Sequence, residues 1–92
     1  MIGCVEVEYI IHASHSLKEK RAVLQRTITR LKQKLNVSVA ETNYQDVWQR
    51  TQLTIVTVAS SKQATERELE NALNFLDSFP EWERLMTSYE WL

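Results

Sequence analysis

From Gly3 to Ala13 the side chains alternate: Val5, Val7, Tyr9 and Ile11 point one way, and Cys4, Glu6, Glu8, Ile10 and His12 the other. A period of two over that length predicts a half-buried strand. The period then lengthens. Ser16 with Glu19 three residues on is a capping-box pattern, and Leu17, Leu24, Ile28, Leu31 and Leu35 fall in one narrow stripe of the helix it opens. Asn36 ends this helix. Val37, Val39 and Glu41 then alternate with Ser38, Ala40 and Thr42 in a second strand reaching Asn43, with residues 43–47 as the turn.

From Trp48 to Ala59 a β-branched run that includes Thr51, Thr54, Ile55, Val56, Thr57 and Val58 predicts a more deeply buried third strand. Ser60 with Gln63, or Ser61 alone, caps a second helix. Its core stripe is Leu69, Ala72, Leu73, Leu76 and Phe79, and its outer stripe is acidic, with Glu66, Glu70 and Asp77. Pro80 stops it, and Leu85, Thr87, Tyr89 and Trp91 alternate in a closing strand. The order βαββαβ is most economically an α+β ferredoxin-like two-layer sandwich, a four-stranded antiparallel sheet with both helices on one face. Right-handed crossovers put the first and third strands at its centre and the second and fourth at its edges.

Composition sharpens this picture in two ways. Ninety-two residues, with one glycine and one proline, leave room for a single domain over residues 1–92 and no linker. Cys4 is the only cysteine and has no internal partner; with no signal-peptide pattern and no apolar run of membrane-spanning length, the expected setting is cytoplasmic, away from membranes.

Charge changes the picture most. Residues 16–35 hold seven of the eleven basic residues and one of the twelve acidic ones, a charge of +6, against −7 from the four basic and eleven acidic residues elsewhere. Three of those cations, Lys18, Lys20 and Arg21, sit at a helix start, where the macrodipole favours anions and each misplaced cation costs about 0.3–1 kcal/mol.

Three blocks, taken together, carry a resemblance: Ser16-Leu17-Lys18-Glu19-Lys20-Arg21, Asn36-Val37-Ser38-Val39-Ala40-Glu41, and Asp46 with Trp48-Gln49-Arg50. In this order, across essentially the whole chain, they resemble the YlxP family of small bacterial proteins, a domain of unknown function. One departure is Thr54, where the family often has glycine. The resemblance implies a ferredoxin-like fold and, in many bacteria, a gene neighbourhood with transcription elongation, translation initiation and ribosome-binding factors. It implies no established activity.

The primary functional expectation is a non-enzymatic RNA-binding protein, associated with the small ribosomal subunit or its assembly in the setting the resemblance implies. Lys18, Lys20 and Arg21 would hold phosphate at the helix start, Arg26, Arg30 and Lys34 would continue the track, and Arg50 would be an outlying contact. Tyr44 and Trp48 are candidate stacking platforms for an unpaired base. The plainer readings are a solvated helix whose cations pair with the acidic second helix, and a Trp48 that anchors the core or hairpin. Glu6 and Glu8 on the open sheet face repel phosphate, which directs RNA to the helix side or the strand ends.

A second expectation, of a different class, is a homodimer or protein-partner module using a sheet edge or the open sheet face, with Trp82 and Trp91 as interface residues; the plainer reading is that Trp91 caps the core while Trp82 covers a loop. Catalysis is not expected: the loop His12-Ala13-Ser14-His15-Ser16 lacks the glycine of a phosphate cradle, and Cys4 has no basic partner close in sequence. His12, His15 and Cys4 are too dispersed for a metal site, and no cofactor is expected.

Overall fold

The computed structural model describes residues 1–92. Its elements run β1 (Ile2–Ile11), α1 (Leu17–Lys34), β2 (Ser38–Asn43), β3 (Arg50–Val58), α2 (Lys62–Asp77) and β4 (Trp82–Trp91). The sheet order is β2-β3-β1-β4, every neighbouring pair antiparallel, so β1 and β3 are central and β2 and β4 are the edges. This is the ferredoxin-like sandwich. Val5, Val7, Tyr9 and Ile11 on β1 and Leu53 and Ile55 on β3 meet Leu24 and Leu31 of α1 and Leu69, Ala72, Leu73 and Leu76 of α2 in one core.

Local chemistry sets the element ends. Ser16 Oγ accepts the Glu19 N–H, and the Glu19 carboxylate accepts the His15 N–H, closing the capping box. For α2 the cap is Ser61 alone, its hydroxyl accepting from Ala64. That helix closes at Asp77, ahead of Pro80, with Ser78 folding its own N–H and hydroxyl back on the last carbonyls. The third strand begins at Arg50, two residues later than the β-branched run suggested, because Trp48 and Gln49 belong to the connection from β2.

The closing strand departs most from the sequence pattern. It starts at Trp82, and its register against β1 shifts: Val7 faces Thr87, Tyr9 faces Arg84, and Leu85 with Met86 stand opposite Glu8 alone. This β-bulge inverts the alternation. Trp82 and Arg84 therefore share the helix-facing side with Tyr89 and Trp91. Trp82 is a core residue, its ring tilted against those of Tyr9 and Phe79 at 5.3 and 5.8 Å between ring centres, which corrects its expected role in an interface.

Candidate nucleic-acid interface on the first helix

The start of α1 is not the open anion site the sequence suggested. Ser16 and Glu19 already occupy it, and Lys20 is turned inward and wholly buried. Its Nζ donates to the Tyr44 and Val47 carbonyls and to Glu41 Oε2 at 2.8 Å, while Thr51 Oγ1 donates to the same Glu41 oxygen at 2.6 Å. All three ammonium donors are met. Lys20 thus fastens α1 to β2 and the β2–β3 connection, and it is removed from the phosphate-binding set. Tyr44, which supplies one of those carbonyls, holds a left-handed backbone conformation (φ 63°).

The remaining cations of α1 fall on two flanks. At about 100° per residue, Lys18, Arg21 and Lys32 lie toward the β2 side, and Arg26, Arg30 and Lys34 form a row, one turn apart, on the side toward α2. All six are exposed. None is paired with a carboxylate: the ion pairs of the molecule are His12–Glu83, Lys20–Glu41, Arg50–Glu8, Lys62–Glu66 and Arg84–Asp77. The acids of α2 therefore do not neutralise α1, and only Lys34 leans on α2, its ammonium 5.1 Å from the Phe75 ring centre.

Beside the Arg26–Arg30 row lies a cleft of about 570 Å³ between α1, the β1–α1 loop and the segment joining α2 to β4. Ile11, Val23 and Phe79 make its apolar surface; Arg26 and Arg30 stand on one lip and Glu81 on another. Thr27 and Trp82 also line it.

The outlying candidates are differently placed. Arg50 bonds the Glu8 carboxylate at 3.3 Å and lies 4.4 Å over the Tyr44 ring, so one face of that ring is already covered. The neighbouring Glu8 pushes the Tyr44 phenol above its ordinary value. Trp48 is no core anchor: it sits in the β2–β3 connection, 44% exposed. His12 pairs with Glu83 at 2.8 Å, His15 lies at the cleft, and Cys4 is on the other face of the sheet, its thiol pushed up by burial, Glu90 and Glu6. No three His, Cys, Asp or Glu side chains converge as metal ligands would. No helix is long and apolar enough to cross a membrane.

The family profile described as "Protein of unknown function (DUF503)" matches residues 2–89. The chain belongs to that family. It is 56% identical over 91 residues to "Uncharacterized protein YlxP" of Bacillus subtilis (strain 168), an alignment spanning 99% of both chains. Among solved structures, the de novo designed protein Foldit4 is similar over 100% of this chain and 99% of its own, with a TM-score of 0.61 and 15% identity. That likeness concerns fold alone.

Family membership leaves the cleft to be read from this chain's own residues. Sequence reasoning found Arg26 and Arg30 by charge but missed Thr27 and the floor beneath them, because the cleft joins segments fifty residues apart. Lys20 had a signal that charge obscured: it lies four residues before Leu24, in the stripe that continues through Thr27 and Leu31.

Proposed function

We propose that the chain is a non-enzymatic RNA-binding protein that lays Arg26, Arg30 and Lys34 along a phosphate backbone, with Lys18 and Arg21 as peripheral contacts. The observation that carries this reading is that these five cations are exposed and without a carboxylate partner in a molecule whose net charge is −1. Unpaired guanidinium groups on a rigid helix are suited to bidentate phosphate contacts. The row advances about 6 Å per step, close to the spacing of neighbouring phosphates in an extended strand. Arg50 and Tyr44 are engaged with Glu8 and with each other, so Trp48 is the better placed of the outlying groups to stack on a base. The small ribosomal subunit, or an assembly intermediate of it, is the first RNA to test.

The test is binding of purified protein to ribosomal subunits and to total RNA across a salt series. Affinity should fall steeply with salt, and the double reversal Arg26→Glu, Arg30→Glu should remove binding while leaving the thermal midpoint unchanged. Wild-type affinity in the reversed variant would sink the reading.

A second reading, a homodimer or partner module formed along β4, draws on Met86 and Tyr89, 71% and 48% exposed beside the free edge of the sheet. Sedimentation at micromolar concentration should then show twice the monomer mass, reduced by Tyr89→Lys.

A further inference from the structure

We infer that the cleft beside the Arg26–Arg30 row receives one unstacked base, so that the RNA is single-stranded where α1 meets it; this rests on the phosphate-binding reading above and names its substrate class. The cleft divides its chemistry by depth. Arg26 and Arg30 at the lip suit an anion, whereas Ile11, Val23 and Phe79 suit a flat apolar group that phosphate itself could not be.

Two polar groups inside point the same way. Thr27 and Trp82 are 4% and 7% exposed, and neither the Thr27 hydroxyl nor the Trp82 indole N–H is used in any hydrogen bond within the protein. The one side-chain polar atom both sealed from solvent and unpartnered is Arg50 Nε, so these two groups keep an opening to solvent. Both residues line the cleft.

Groups that reach solvent and have no partner within the protein are free to bond a ligand that displaces their water, and these two suit one with donors and acceptors along one edge. A nucleobase has such an edge, apolar faces to match the cleft wall, and a phosphate tethered to it for the arginines. An aliphatic acid would satisfy the arginines and leave Thr27 and Trp82 unmet. Glu19 and Glu81 also line the cleft and repel phosphate from their own parts of it, leaving Arg26 and Arg30 as its cationic stretch. A base paired and stacked within a duplex cannot enter.

The same chemistry is offered by a free mononucleotide, and the experiment separates the two sources. The full-length chain is titrated at low salt with a short single strand of mixed sequence, with the blunt duplex of that sequence, and with adenosine monophosphate. Affinity is read by anisotropy, and the Trp82 indole N–H resonance, assigned through Trp82→Phe, is followed in parallel. The single strand should bind roughly tenfold more tightly than the duplex, the yield of one stacked base, and should move the Trp82 resonance. Ala22→Phe, at an exposed helix position lining the cleft, should abolish that preference and keep the weaker, salt-sensitive binding. Equal affinity for strand and duplex with an unmoved Trp82 would overturn the base site and leave the phosphate row standing. A Trp82 shift with adenosine monophosphate and no RNA binding would support the nucleotide cleft and overturn RNA as its source. Silence in all three titrations would overturn both.

Discussion

A lysine ammonium can stay inside a protein only when its donors are met and its charge is balanced. Lys20 fulfils both conditions, and the arrangement makes a sharp demand on its partners: two carbonyls from the β2–β3 connection and the Glu41 carboxylate converge on one nitrogen. Removing the lysine leaves them facing a void. Lys20→Ala should therefore lower stability by roughly 3 kcal/mol, the cost typical of breaking a buried ion pair from one side. Urea unfolding measures it, and a loss below about 1 kcal/mol would mean that water takes over the lysine's role. The double variant Lys20→Met, Glu41→Leu should recover only part of the loss, because packing replaces the ion pair while the Tyr44 and Val47 carbonyls and the Thr51 hydroxyl stay without their partners. Charge and position read differently here: the same cationic residue type stands at Lys18 and Lys20, and only the helical stripe separates the solvent-facing residue from the core one. Cys4 makes a second prediction at this scale. Burial first, then Glu90 and Glu6, raise its thiol above the ordinary 9.0. The neutral form is favoured by folding, so the associated stability is whole below that value and is lost as pH rises through the raised one. Alkylation of the folded chain at pH 8 should be slower than in urea, and Glu6→Gln with Glu90→Gln should quicken it modestly without moving the thermal midpoint.

Elements were legible where a period was sustained. Ten residues of alternation and eighteen of helical stripe leave one reading each, which is why β1, α1 and α2 were placed correctly to within a residue or two of their ends. What pattern could not show is close approach between elements. A Cβ on Gly3 would stand 2.6 Å from a Trp91 ring carbon and 3.2 Å from a Leu69 methyl. The glycine on the central strand is thus what lets the Trp91 indole lie flat across it, with Lys62 5.4 Å above the ring. A rigid indole cannot give way as a flexible side-chain tip would. Gly3→Ala should displace β4 at that end and cost about 1–3 kcal/mol, as overpacking in a fitted site does. Thermal unfolding of Gly3→Ala against Gly3→Ala, Trp91→Leu checks it: the second change should restore part of the loss if the indole is the obstacle. The contact decides between the two readings of Trp91 in favour of a cap on the chain's own core.

At the scale of the molecule the separation of charge seen in the sequence persists in space, because no ion pair joins an α1 flank to α2. The sequence could show how much charge α1 carries but not that its cations divide between two flanks, since that division depends on which side of the helix packs down. Nor could it show the cleft, whose walls come from three separate segments. The bulge in β4 was invisible for a simpler reason: an extra residue changes phase without changing composition. Its local effect is to turn Arg84 to the helix side, where it meets Asp77 at 3.3 Å while Asp77 accepts the Tyr9 hydroxyl at 2.7 Å. Its larger effect concerns the company the protein keeps at high concentration. A straight ten-residue edge ending in Tyr89, Glu90 and Trp91, with no proline and no lysine, would be an open template for fibril growth. Leu85 and Met86 break that template into two pieces, each too short and too differently twisted to recruit a neighbour along its whole length. Deleting Met86 should straighten the edge, leave Arg84 opposite Tyr9 and beside Asp77, and raise light scattering on prolonged incubation well before it abolishes the fold. The irregular step in the last strand thus interrupts the longest run of open backbone that the sheet offers to another chain.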